Sequence, residues 1–187
     1  GLVILDVGAG TGFLTIELAQ RCGPCSKVIA VDPWNAAMTR LRRKVDFLGL
    51  TNVTSLEQDA SAIDLPDASV DVIVSNLGLN NFENADAVLR TCFRVAKPGA
   101  TLLLTTNLTG HMAEFYEVFR TTLIELGQDD RLDILDAHIR HRGTTESVAA
   151  LLTAAGFTVR AIDADSFRMR FADGTSLLRH FLIRLGF

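Results

Sequence analysis

Five places in this 187-residue chain bring together residue types and spacing that can do chemistry. The first is Asp6-Val7-Gly8-Ala9-Gly10-Thr11-Gly12, a Gly-x-Gly-x-Gly run with an acid two residues upstream. Glycines there let the backbone bend sharply and come close to a ligand. The second is Asp32, a carboxylate able to accept from both hydroxyls of a ribose. The third is Asp59 with Ala60, a side-chain acceptor beside a backbone N–H, which suits the edge of an adenine. The fourth is Ser75-Asn76-Leu77, where a backbone carbonyl can meet an ammonium group. The fifth is the stretch holding Asn107, His111, Glu114 and Tyr116, in which His111 is the best general base because its pKa can sit near neutrality. Each has a plainer reading. Asp6, Asp32 and Asp59 suit helix N-caps or solvated loops, His111 a helix start, and Tyr116 with Phe115 and Phe119 the packing of a lid.

These residues need elements that bring them together. Leu2–Val7, Val28–Asp32, Val53–Gln58, Val70–Ser75 and Ala100–Thr106 have the β-branched, near-continuous apolar character of buried strands. Helices are expected over Thr11–Cys22, from Pro33 to Gly49 and over Asn84–Val95, with Gly23-Pro24, Gly49 and Pro98-Gly99 as stops. Such a βαβα rhythm predicts a Rossmann-like, doubly wound, mostly parallel α/β sheet covered on both faces. After residue 106 the rhythm breaks. A long amphipathic segment and a polar stretch fill 107–143, followed by a helix at Thr145–Ala155. Phe157–Ala164 and Ser166–Ala172 alternate like strands, giving seven in all, one of them antiparallel. Every strand-end candidate then falls at a carboxyl end, where doubly wound sheets bind ligands.

The glycine spacing discriminates between ligands. A dinucleotide turn needs its third glycine at position 13, which is Phe13, and no Gly-Lys-Ser/Thr follows to make a P-loop. Cys22-Gly23-Pro24-Cys25 spells a thioredoxin-type tetrapeptide, but it closes a helix instead of opening one, so the helix dipole has the wrong sign to activate the thiol. His138-x-x-His141 lacks further ligands for a metal.

Taken in order, Leu5-Asp6-Val7-Gly8-Ala9-Gly10-Thr11-Gly12, Val31-Asp32-Pro33, Gln58-Asp59-Ala60, Leu65-Pro66-Asp67-Ala68-Ser69-Val70-Asp71-Val72-Ile73-Val74-Ser75-Asn76 and Arg94-Val95-Ala96-Lys97-Pro98-Gly99-Ala100 resemble the class I S-adenosylmethionine-dependent methyltransferases. The likeness is to their small-molecule branch, type 11, and spans residues 2–106. It implies that Gly8 and Gly10, with Gly12 in the same turn, lie against the methionine part of S-adenosylmethionine, and that Asp6 holds its amino group through water. Asp32 would take the ribose, Pro33-Trp34 the adenine face, Asp59 and Ala60 the adenine edge, and Asn76 the methionine end. The branches that methylate bases or side-chain amides carry a proline–aromatic signature after the fourth strand. Ser75-Asn76-Leu77-Gly78-Leu79-Asn80-Asn81-Phe82 has no proline there.

Composition narrows the partners. With 48% apolar and 21% charged residues, the chain suits one globular domain over 1–187. Its net charge of −4 weighs against nucleic acid, although residues 138–187 carry seven Arg against four acids. No apolar run approaches the roughly 18 residues that span a bilayer, and three cysteines suit a reducing, cytoplasmic setting. Gly1 runs straight into a strand and Leu177–Phe187 is amphipathic to the end, so both ends read as truncated, with the 107–143 insertion as a lid. The expected function is methyl transfer to a small molecule, with the product S-adenosylhomocysteine. A dehydrogenase is opposed by Phe13, and an aminopropyltransferase by the lack of an Asp near Ser75-Asn76. The alternative is an inactive cofactor-binding subunit that stabilises a partner protein. The acceptor atom and the oligomeric state leave no mark on the sequence.

Overall fold

A computed structural model of the chain describes residues 1–180 and 183. Five strands, β1 (Val3–Val7), β2 (Lys27–Val31), β3 (Val53–Leu56), β4 (Val70–Asn76) and β5 (Ala96–Thr105), form one parallel sheet in the order β3-β2-β1-β4-β5. The chain steps outward from β1 through β2 to β3, then returns to the other side of β1 with β4. That reversal opens a crevice between the carboxyl ends of β1 and β4, where a ligand can enter a doubly wound sheet.

Alternation along β1 builds two layers. Leu5 and Val7 join Ile29, Val31 and Ile73 in a core covered by Val88, Cys92 and Val95 of α3 (Ala85–Val95). Ile4 points the other way, to Ala19 of α1 (Phe13–Cys22) and Val28. Beside it, Ala30 meets Met38 and Leu41 of α2 (Asn35–Phe47). The inward faces come from the i, i+3, i+4 spacing read in the sequence. Asn84 caps α3 by accepting from Ala87 N at 3.0 Å. Gly23 and Gly49 end the first two helices with positive φ.

β5 starts earlier than its composition suggests. Ala96 pairs with Val70 and Thr101 with Val72, so between these pairs four residues of β5 lie opposite one of β4, across a bulge that holds Gly99 at φ 82°.

The remaining described residues are largely helical. α4 (Ala113–Glu125) and α5 (Leu132–Arg140) pair through Tyr116, Leu123 and Leu135. α6 (Thr145–Ala154) starts in a capping box of Thr144 and Ser147, and α7 (Gly174–Arg179) follows. One expectation is corrected here: among the described residues the sheet has five parallel strands, not seven with one antiparallel. Residues 157–172 alternate in sequence but pair with no strand. Alternation specifies a face and not a partner, and this stretch leaves Ile162 and Phe167 exposed while carrying five charged residues. The amphipathic reading of Leu177–Phe187 falls partly on 181, 182 and 184–187, which lie outside the described residues. No described helix is long and apolar enough to cross a membrane.

Candidate functional site

The glycine turn leaves the carboxyl end of β1 with Gly8, Gly10 and Gly12 at φ 73°, 53° and 83°, a region that L side chains enter only at a cost. Its three glycines have different surroundings. A Cβ on Gly10 would meet nothing within 4 Å, so this position faces open space. A Cβ on Gly8 would touch the Phe82 ring at 3.2 Å, because the turn rests on the loop after β4. A Cβ on Gly12 would stand 2.1 Å from Leu41 Cδ1, so Gly12 serves the close packing of α1 on α2.

Asp32, at the end of β2, braces that turn. Its Oδ2 accepts from Gly10 N at 2.9 Å and its Oδ1 from Trp34 N at 2.8 Å. The carboxylate is therefore held in one orientation, and each oxygen keeps a further acceptor site for a ligand hydroxyl. Trp34 itself is 56% exposed and Phe13, across the turn, is 73% exposed, an apolar rim left uncovered by the protein.

Asp6 lies differently from its strand-end neighbours. It points into the α1 side of the sheet, is 1% exposed, and accepts from Thr15 Oγ1 at 2.6 Å. Loss of water raises its pKa from 3.8 to about 6, the Thr15 hydrogen bond opposing and the charge of Asp32 adding to the rise. The sequence reading missed Thr15. The signal was a polar residue four positions before Ala19 on the buried stripe of α1.

At the end of β3, Asp59 accepts from Ser61 N at 2.6 Å, and this bond lowers its pKa, keeping it ionised. Ala60 follows it, 6% exposed. At the end of β4, Ser75 Oγ donates to Val7 O at 2.8 Å and ties the two lips of the crevice together. Asn76 Oδ1 accepts from Thr105 Oγ1 at 2.7 Å, and Leu77 takes φ 59°. Gly8, Gly10, Asp32, Trp34, Asp59 and Asn76 thus stand at the carboxyl ends of β1 to β4, as their spacing predicts.

The fifth group lies farther along the chain. His111 begins the turn into α4, and burial and the charge of Arg142 lower its pKa, so the ring is a neutral base at physiological pH. Tyr116 is 4% exposed, with its hydroxyl 3.1 Å from His138 Nε2 and accepting from Arg142 Nη2 at 3.0 Å. It is held inside the α4–α5 pair. His138 and His141 turn to different partners, since His141 Nε2 lies 2.7 Å from Asn80 O. The sequence reading missed Arg142 altogether.

This arrangement has relatives. The methyltransferase domain family matches residues 4–99, from β1 into the bulge of β5. The ubiquinone/menaquinone biosynthesis C-methyltransferase UbiE of Pasteurella multocida is 38% identical over 106 residues, covering 56% of this chain and 39% of that protein. UbiE of Idiomarina loihiensis is 28% identical over 167 residues, covering 84% of this chain and 66% of that protein. The chain therefore spans between about two fifths and two thirds of the length of these relatives. A SAM-dependent methyltransferase from Aquifex aeolicus superposes with a TM-score of 0.64 at 24% identity, over 86% of this chain and 74% of that one, which shows a shared fold. With more than half of its length matched, and with the glycine turn and Asp32 at the strand ends of that match, the chain belongs to the methyltransferase domain family.

Proposed function

We propose that the protein transfers a methyl group from S-adenosylmethionine to a small-molecule acceptor. The observation that carries this reading is the braced carboxylate of Asp32 beside the open face of Gly10. The residues fit the cofactor. Open space over Gly10 admits a methionine chain, and Asp32 offers two oriented oxygens to the ribose. Ionised Asp59 and the backbone at Ala60 suit the adenine edge, and Trp34 with Pro33 suits the adenine face. Asn76 stands at the methionine end. Gly12 supports the turn through its packing, and buried Asp6 acts through the local field and through water.

When bound, the cofactor supplies a methyl group on a sulfonium, and the acceptor's electron pair forms the new bond as the carbon–sulfur bond breaks and the thioether leaves. Because the leaving group is already charged, the chain contributes chiefly alignment and exclusion of water. The 107–143 segment, which follows β5, acts as a lid in this reading. Neutral His111 is the candidate base in it for removing an acceptor proton. Buried Tyr116 shapes the lid. The UbiE relatives support a small organic acceptor over a nucleic acid.

Calorimetric titration with S-adenosylhomocysteine, with NADH as control ligand, tests the reading. Micromolar binding of the first ligand alone is expected. Asp32→Asn, which keeps one acceptor to hold the turn, should weaken it about tenfold or more. Equal binding of NADH, or unchanged affinity in Asp32→Asn, would refute it.

A further inference from the structure

Two hydroxyls fix the end of β4, one from β4 itself and one from its neighbour β5. Ser75 Oγ donates to Val7 O of β1 at 2.8 Å. The next two residues are held by Thr105, which stands opposite Asn76 in the β4–β5 register. Leu77 N donates to both Thr105 O and Thr105 Oγ1 at 3.1 Å, and Thr105 Oγ1 donates to Asn76 Oδ1 at 2.7 Å. On the other side of Leu77, its carbonyl accepts from Asn81 Nδ2 at 3.1 Å.

These bonds hold a backbone that leucine rarely adopts. Leu77 sits at φ 59°, whereas Gly78 beside it takes φ −77° and is glycine for room, since a Cβ there would stand 2.5 Å from Ser75 Oγ. A left-handed bulky residue persists only where its surroundings over-determine it, and such residues gather at functional sites. With the N–H and the carbonyl of Leu77 both engaged, the chain leaving Asn76 is held in one shape.

The Asn76 side chain is fixed as well. Thr105 Oγ1 already accepts from Leu77 N, so its single hydrogen is free to be donated, and 2.7 Å is the usual length of an O–H···O bond and short for N–H···O. Oδ1 is thereby committed. Nδ2 is the edge that Asn76, exposed at the end of β4 beside the crevice, has left to offer. An amide nitrogen donates and does not accept, so this edge suits a carboxylate and not an ammonium.

We propose that Thr105 is a positioning residue of the cofactor site: its hydroxyl turns the Asn76 amide so that Nδ2 is offered, as a donor, to the carboxylate at the amino-acid end of S-adenosylmethionine. The inference rests on the methyl-transfer reading and deepens it, adding a residue of β5 to a site otherwise built at the ends of β1 to β4. Thr105 acts through its neighbours and not by touching the ligand. A threonine hydroxyl both accepts and donates, so one side chain holds the left-handed turn and orients the amide together; valine has nearly the same shape and does neither.

The test is calorimetric titration of the full chain with S-adenosylhomocysteine and with 5′-methylthioadenosine, which keeps the adenine, ribose and sulfur but lacks the amino-acid end. Thr105→Val should weaken S-adenosylhomocysteine about fivefold and methylthioadenosine less than about twofold. Thr105→Ser, which keeps the hydroxyl, should stay within about twofold of wild type for both ligands. Adding Thr105→Val to Asn76→Ala should change S-adenosylhomocysteine affinity less than about twofold beyond Asn76→Ala alone, because the hydroxyl works through the amide that is already gone. Asn76→Asp keeps an acceptor for Thr105 but replaces the donor with a charged oxygen. It should weaken S-adenosylhomocysteine at least as much as Asn76→Ala while sparing methylthioadenosine, and it keeps the donor assignment testable should Thr105→Val fail to fold. Wild-type affinity in Thr105→Val or in Asn76→Asp, equal weakening of both ligands, or full additivity of the two substitutions would overturn the positioning role while the parent reading stands. Failure of both ligands to bind the wild-type chain would overturn the parent reading and this inference with it.

Discussion

The two halves of this molecule are built on different terms. Residues 1–106 form a sheet whose central strands are buried on both faces, with Leu5, Val28, Val31, Val70 and Ile73 shielded from solvent. Residues 107–180 form short helices that bury little: Tyr116 and Leu123 in α4, Leu135 in α5, and no residue of α6 or α7. The first half carries its candidate ligands on strand ends, locked by the sheet. The second carries His111 and Arg142 on segments held by side-chain bonds to two loops. In the proposed reading the tightly packed half holds the cofactor and the loosely fastened half meets the acceptor, which suits a site that keeps one ligand constant and must open for another.

Paired substitutions can break this contrast. The largest effect is expected for Leu41→Ala, which empties a fully buried position under α2 and should cost about 3 kcal/mol of global stability. Leu135→Ala should instead loosen the α4–α5 pair, raising hydrogen exchange in 113–140 with little change in β1 to β4. Urea denaturation with site-resolved exchange compares the two. Equal, global loss for both would mean that the halves fold as one cooperative unit.

Asp6 gives the next largest effect, and it depends on pH. The folded chain binds this proton more tightly than the unfolded chain does, at about 6 against 3.8. The ionised carboxyl therefore costs folding nothing below the lower value, and the cost grows as pH rises, reaching its full size above about 6. At about 1.4 kcal/mol per pH unit the cost is about 3 kcal/mol. Asp6→Asn should thus be more stable than wild type at neutral pH by up to that amount, with the gain vanishing in acid. A gain that does not vary with pH, followed by urea midpoints across the range, would reject the buried-carboxylate account.

The smallest effects sharpen the same comparison. Gly12→Ala meets both a left-handed φ of 83° and the Leu41 side chain, and should cost about 2 kcal/mol. Gly110→Ala, at φ 90° with nothing within 4 Å, meets only the backbone penalty and should cost about 1 kcal/mol. Thermal midpoints decide the order, and a reversed order would place the tighter packing in the second half.

Legibility in the sequence followed the same divide. The five strands were readable because apolar runs bounded by Gly, Pro and Asp signal themselves locally, and the glycine turn with Asp32 was readable because both sit where a strand must end. The start of β5 was misplaced by four residues, since Pro98-Gly99 reads as a helix stop while the bulge opposite Val70 and Val72 is a matter of pairing. The alternation at 157–172 predicted strands, yet a ladder needs a neighbour that no local pattern names. The packing of Gly12 against Leu41 was not legible, because Leu41 lies twenty-nine positions away.

By itself, then, the sequence determined the doubly wound class, the order of the residues at its strand ends and the family to which they belong, because periodicity, turn chemistry and strand ends are short-range properties. Tertiary structure alone decided that Asp6 is buried against Thr15, that Tyr116 is shut inside a helix pair, and that the Arg142 guanidinium donates to the Tyr116 hydroxyl. Burial and hydrogen-bond partners are properties of what surrounds a group in space, and residues 116 and 142 become neighbours only once α5 has folded back onto α4.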